Sequence, residues 1–398
     1  MHGGSASTIE QADIGIIGAG IAGAALAAAL ADSGLRVALF DRREGLLDTA
    51  RGDHIQPSLI PVLSRWGVLE HLHSAGAEQR VGTRWFDAQQ QPIVTVGVPP
   101  TVHTPPWFLF LNHELIGEAL LKGAARGDTD VILGIDHWHL ARDGSAWRID
   151  FLQNGHERSL RCTLLVGADG TGSSVRKKLG IQVHRHRYQY PIAVLYGRLA
   201  EQLKERTLDV YLCHERMLSV IPRTGGWSKI GVPIDAAELA GWRDSSSDEL
   251  TARLQRWCPV LDFEQLSFGA IYPPISLQTE PFVGEGAALL LGDACHAMHP
   301  ARSQGMNTCF RVADQLATAI SSLPSGFSET AVLPLIKQFD AAFRVQLTPR
   351  LAENHAAGLQ MDTLSGGGFV ELTEQLRGAA QNPEILDLMA HRAAGLTP

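Results

Sequence analysis

Gly18, Gly20 and Gly23, in the run DIGIIGAGIAGAALAAAL, stand at the spacing with which a chain cradles a pyrophosphate. Residues 13–17 read as a short apolar strand, and Ala24 to Ala31 as an alanine-rich helix. Gly18 permits the tight turn between them and Gly20 lets the backbone approach a phosphate. Gly23 lets the helix pack closely on the sheet, with Ala22 in the same turn. The free amides and dipole of the helix start favour phosphate charge. Gly34 ends the helix, and RVALFD (36–41) returns as a second strand. It closes on Asp41, 23 positions after Gly18, where a carboxylate accepts hydrogen bonds from a ribose hydroxyl, with Arg42 next to it. This βαβ unit predicts a dinucleotide site, a fingerprint that FAD and NAD sites share.

Two later segments narrow the choice. In LLVGADGTGSSVR an apolar strand runs straight into Asp169 and Gly170, with Ser174 and Arg176 following. Asp169 is a candidate cofactor contact, and Asp169 or Ser173 could also serve as the N-cap of a following helix. In LLGDACHAMHPARSQGMN a strand ends at Gly292 and Asp293, and Pro300 leads through a turn to Gly305, Met306 and Asn307 at a helix start. In this order the three segments resemble the FAD-dependent aromatic hydroxylases, the single-component flavoprotein monooxygenases with a para-hydroxybenzoate-hydroxylase-like fold. The resemblance covers roughly residues 12–345. It implies that Asp293 meets the ribityl chain and that the amides after Gly305 face the flavin pyrimidine, stabilising negative charge on reduced flavin. It also implies that Arg51, in TARGDHIQP, lies near the flavin and pyrophosphate. Two positions depart from the family: Asn112 stands where an arginine is usual, and Ser303 replaces the first glycine of G-Q-G-M-N. Asn112 can donate a hydrogen bond but carries no charge, so pyrophosphate neutralisation must come from elsewhere. Ser303 either keeps φ below zero or accepts strain.

The fold class expected is α/β: a Rossmann-like FAD-binding lobe with a parallel sheet, a mixed-sheet substrate lobe and C-terminal helices. The FAD lobe is expected from residues 12–80, 100–180 and 277–325, the substrate lobe from 81–99 and 181–276, and the helical segment from 326–398. One helix is expected over 57–72, another over 112–126, and three strands within 130–166. The resemblance implies FAD, NADH or NADPH and O2 acting together: hydride reaches flavin N5, and reduced flavin adds oxygen at C4a. The resulting hydroperoxide delivers one oxygen atom to an aromatic or heteroaromatic small molecule. The protein would supply a dry pocket and a base that deprotonates the substrate. His54, Tyr196, Tyr211 and His214 are the candidate bases; each could equally be a core or sheet-surface side chain. An epoxidase, an N-hydroxylase and an FAD oxidoreductase without oxygen insertion remain open, because the fold alone does not give the reaction.

Composition limits the partners. The 398 residues carry a net charge of −8 and are 45% hydrophobic, which suits a large core and does not suit bulk attraction to nucleic acid. Five cysteines with no C-x-x-C pair argue against a disulfide framework or zinc site and fit a reducing cytoplasm. His296 and His299 have too few carboxylate neighbours for a metal site. No signal peptide or membrane span is expected, and the chain is expected as a monomer or homodimer. The run His184–Arg187 could hold a NADPH phosphate or an acidic substrate, or form a solvated edge.

Overall fold

A computed structural model describes residues 10–45, 52–99, 101, 104–200, 207–364 and 367–396. The architecture is mixed α/β with a parallel core. Val37–Phe40, Glu10–Ile17, His156–Gly167 and Ala288–Leu290 run parallel in one seven-stranded sheet, with Thr129–Ile132 parallel on the Val37–Phe40 edge. His156–Gly167 serves two neighbours along one side. Its first half pairs antiparallel with Ala146–Gln153, and Leu165–Gly167 pair with Ala288–Leu290. The apolar runs 14–17, Val37–Phe40, 164–167 and Ala288–Leu290 are buried, as strands covered on both faces require. Helix Ile21–Ala29 packs on helices His113–Ala124 and Gly305–Ile320. Its small side chains allow that close approach.

The second seven-stranded sheet runs, in order, Phe263–Tyr272, Ile192–Leu199, Ser228–Pro233, Met217–Pro222, Thr207–Leu212, Gly82–Phe86 and Pro92–Val96. All its pairings are antiparallel except Thr207–Leu212 with Gly82–Phe86. Leu195, Tyr211, Leu218, Val220 and Ile230 alternate onto one face and pack with Trp242, Leu250 and Leu254. On the other face Leu208, Val210 and Leu212 meet Phe369, Leu372, Leu376 and Ala390 from helices Gly367–Ala380 and Pro383–Ala394. The long helix Glu329–Met361 carries Pro334 and Pro349 within it.

Local readings needed two corrections. The helix expected over 57–72 is broken into a short 3-10 turn, Pro57–Leu59, and helices Ile60–Arg65 and Leu69–Ser74, because Gly67 adopts φ +67°. Four strands, not three, span residues 129–167, since Ile135–Asp143 forms its own hairpin arm.

Candidate active site

A cavity of about 650 Å³ extends from the carboxyl ends of the parallel strands to the open face of the second sheet. Gly18, Gly20, Ala22, Asp41 and Arg42 line one end. Gly18 has φ +109°, and a Cβ there would come within 2.3 Å of Ala168 O. A Cβ on Gly23 would come within 1.9 Å of Gly18 O, so Gly23 packs behind the turn without lining the cavity. At Gly20 a Cβ would meet no protein atom within 4 Å, and its open side is the room a pyrophosphate needs. Gly20→Val is therefore expected to fold like the parent but to bind FAD at least about tenfold more weakly. Flavin fluorescence titration set against thermal unfolding of the apoprotein checks both halves.

Asp41 is fixed for its task. Ala19 N donates to Oδ2 at 2.9 Å and Arg43 N donates to Oδ1 at 2.9 Å, while the Arg43 guanidinium reaches both oxygens. Burial opposes ionisation there, but these donors hold the carboxyl below its usual range. Asp169 lines the cavity and also caps the helix Ser174–Lys178: Ser174 N donates to it at 2.6 Å and Ser173 Oγ at 2.5 Å. Ser173 is the N-cap residue itself, its Oγ accepting from Arg176 N at 2.9 Å. Asp293, Pro300, Gly305 and Met306 line the wall where helix Gly305–Ile320 begins. Ser303 takes φ +50°, so the second alternative applies, and a residue with a Cβ sits in the left-handed region beside the cavity. Glycine cradle, acidic strand ends and an open helix start together fit FAD.

Three other expected cofactor residues, Asn112, Gly292 and Asn307, do not themselves line the cavity. Asn112 is the N-cap residue of His113–Ala124 and accepts from Thr224 Oγ1 at 3.3 Å, away from the lining. Among the described residues, the cations lining the cofactor end are Arg42 and Arg43. Gly292 packs behind the lining, against Ala22. Asn307 is fully buried and serves as a brace. Its Nδ2 donates to His54 O at 2.9 Å and Ser303 O at 2.8 Å, and its Oδ1 accepts from Gln56 N at 2.9 Å. Arg51 lies outside the described residues.

The second sheet forms the far wall, and its register sets which side chains look inward. Trp85, Val210, Ser219, Gly231 and Val194 stand opposite one another across five strands. Lys229 pairs with Ile221 and Tyr196 in the adjacent row. Tyr211 follows Val210 and so points the other way. It stacks on Phe86 at 4.6 Å inside the opposite core, where burial pushes its phenol well above the usual range. It cannot reach a substrate from there. His214 is exposed in the turn after Thr207–Leu212, outside the cavity. Tyr196 does not line the cavity; the Arg223 guanidinium lies 4.8 Å from its ring centroid. The run His184–Arg187 falls in the strand Val183–Arg187, is exposed and pairs with Ile275–Thr279.

Of the four base candidates, His54 lines the cavity. Its imidazole sits between Phe108, 4.5 Å away edge-on, and Phe110, stacked at 4.8 Å. It is 8% exposed, and neither ring nitrogen has a protein hydrogen-bond partner. Burial lowers its pKa to about 4, so the ring is neutral at pH 7, with one donor and one acceptor. Leaving both unmatched costs about 1–3 kcal/mol each unless something else binds them.

Beside His54 lies a cluster that single-residue reading missed. Lys229 Nζ is 2.8 Å and Arg223 Nε 3.3 Å from Asp53 Oδ2, and His113 N donates to Asp53 Oδ1 at 3.0 Å. Arg223 also holds both oxygens of Glu114 at 3.0 Å. Asp53 and Glu114 come from the segments beside the first sheet, Arg223 and Lys229 from the second sheet and the turn that follows Met217–Pro222. Among the described residues no group of three or more His, Cys, Asp or Glu could hold a metal, and no helix is long and apolar enough to cross a membrane.

Comparison with known proteins adds the family. Residues 11–339 match the family described as FAD binding domain. The chain belongs to it. It is an FAD-dependent enzyme of the aromatic hydroxylase type, a monooxygenase class. The 6-hydroxynicotinate 3-monooxygenase of Bordetella bronchiseptica is 24% identical over 312 residues, 73% of this chain and 78% of that protein. The 3-demethoxyubiquinol 3-hydroxylase of Escherichia coli is 23% identical, covering 98% of this chain and 97% of its own. The p-nitrophenol 4-monooxygenase of Pseudomonas putida shares the fold, with TM-score 0.81 at 16% identity over 98% of this chain and 99% of that one.

Proposed function

We propose that this flavoprotein uses NADH or NADPH and O2 to place one oxygen atom on a small aromatic or heteroaromatic molecule bearing an ionisable group, with His54 as the base. The carrying observation is the His54 imidazole: buried, neutral, facing the cavity and without a protein partner on either nitrogen. FAD, when bound, supplies hydride acceptance and oxygen activation. The protein's own part is positional. The Gly18–Gly23 turn, Asp41 and Asp293 would hold the dinucleotide, and the amides opening helix Gly305–Ile320 would meet negative charge on the ring system. Asn307 fixes the segment 54–56 against that helix start, so base and cofactor wall share one frame. Val194, Leu208, Val210 and Ile221 keep the far wall apolar and exclude water. His54 accepts the substrate's proton at a ring nitrogen. An anion formed beside it raises the imidazole's proton affinity above its value in the empty site.

The names of the relatives support a substrate of this kind: 6-hydroxynicotinate and p-nitrophenol are both acidic aromatics. All five cysteines are free and buried, which supports a reducing, cytoplasmic setting. The test is aerobic NADH and NADPH oxidation by FAD-loaded protein across phenols, hydroxypyridines and aminobenzoates, with peroxide followed and ¹⁸O₂ supplied. A coupled compound should speed oxidation without matching peroxide and yield a product with one labelled atom. Oxidation that stays flat throughout, or that all appears as peroxide, would reject the reading.

A further inference from the structure

We infer that Lys229 is the anion-binding residue of the substrate half of the cavity, holding an ionised oxygen, carboxylate or phenolate, borne by the aromatic ring. This rests on the monooxygenase reading for the word substrate, but not for the site itself.

Among the described residues, the charged side chains lining the cavity are Asp41, Arg42, Arg43, Asp169, Asp293 and Lys229. The first five belong to the cofactor end. Lys229 is the charged lining residue of the sheet wall among the described residues, where Trp85, Val194, Val210 and Ile221 also line the cavity. It is 4% exposed, an unusual place for an ammonium. Burial lowers its proton affinity, and the carboxylate of Asp53 at 2.8 Å works against that loss. Asp53 in turn is shared with Arg223, which is shared with Glu114.

Among the described residues the cluster joins two cations, Lys229 and Arg223, to two carboxylates, Asp53 and Glu114, in a directional layout. Asp53, Glu114 and Arg223 do not line the cavity; Lys229 does. A ligand entering from the cavity side meets the lysine of the cluster before its carboxylates. With apolar neighbours the local dielectric is low, and an ammonium–oxyanion contact there is worth far more than in water. As a stability device the arrangement makes little sense, because a buried ion cluster is often no better than a packed apolar one. As a recognition device it makes sense, since Asp53 immediately precedes His54 and ties the cation to the base.

The experiment uses FAD-loaded protein and two matched probe pairs: benzoate with benzamide, and 4-nitrophenolate with 4-nitroanisole. Binding is read from the visible spectrum of bound FAD and from tryptophan fluorescence, since Trp85 and Trp138 line the cavity. At least one anion is expected to bind roughly tenfold tighter than its neutral partner, as for a hydrogen bond to a charged group. The pair that shows it tells carboxylate from phenolate. Lys229→Met should bring that ratio to about one, and Lys229→Arg should keep much of it. Equal affinity of both members in both pairs, no binding by any probe, or a preference that survives Lys229→Met overturns the assignment. If Lys229→Met fails to retain FAD, the wild-type ratio and the Lys229→Arg variant decide. NAD(P)H coupling is measured on the same samples. Anion preference without any oxygen insertion would sink the proposed function and leave this site standing; coupled turnover without anion preference would do the reverse.

Discussion

Replacing His54 by Gln lowers the rate of coupled substrate oxygenation by about 10²- to 10⁴-fold, the usual contribution of a positioned acid–base group. FAD affinity should stay within about twofold, because His54 holds the segment through its backbone: its carbonyl accepts from Asn307, and that bond survives the change. Glutamine keeps a donor and an acceptor in the space between Phe108 and Phe110, so the loss isolates proton transfer from hydrogen bonding. Reduction of bound FAD by NAD(P)H, followed anaerobically with substrate present, should change far less than the oxygenation step. A His54→Gln enzyme with full coupled turnover would remove His54 from the mechanism and move the role of base to another cavity-lining group, His113, His299 or Tyr272.

Acid should unfold the protein at unusually mild pH. His54, His296 and His299 each have their pKa lowered from 6.5 to about 4, burial being the leading cause. Above pH 6.5 neither folded nor unfolded chain protonates these rings, and their contribution is level. Between 6.5 and about 4 the unfolded chain binds the protons and the folded one does not, so stability falls with falling pH. The full difference is about 3 kcal/mol for each ring, and three together rival the stability of an ordinary domain. His296 offers the cleanest check. It is 1% exposed, both ring nitrogens lack partners, and Phe282 and Phe343 lie 6.2 and 6.4 Å away. His296→Leu should flatten the dependence of the urea midpoint on pH between 7 and 5 by roughly a third. A variant whose profile overlays the parent's would mean that His296 meets water in the folded state.

The cofactor end was readable because backbone geometry there leaves few choices of residue. Gly18 has a left-handed φ and Gly23 touches a carbonyl, and both demands leave a trace in the sequence. Asp41 and Asp293 were readable as strand-end acids. Asn307 was picked out for its helix start, and the structure shows a bracing duty that the sequence did not suggest, since a buried amide can brace backbone as well as meet a ligand. The substrate end left no such trace. Alternation along Thr207–Leu212 separates Val210 from Tyr211, but it does not say which face looks inward until helix Ser247–Gln255 is seen to cover one of them. The Lys229 cluster draws on four segments, and Lys229 is 176 positions from Asp53 in sequence. In isolation each member reads as an ordinary strand or loop charge. Only the approach of the two sheets shows that they are one feature.

The brace from Asn307 to His54 spans 253 positions, and Gln56 Nε2 donates at 2.9 Å to Ala393 O, almost at the far end of the chain. At about 5–20 residues per second, roughly 13 to 50 s of synthesis separate His54 from the residue that holds it. Until then the first βαβ unit lacks Ala288–Leu290 beyond His156–Gly167, and its apolar surface waits uncovered. The flavin wall therefore cannot close before residue 307 has been made. Fragments ending before residue 307 should come out colourless and in need of chaperones.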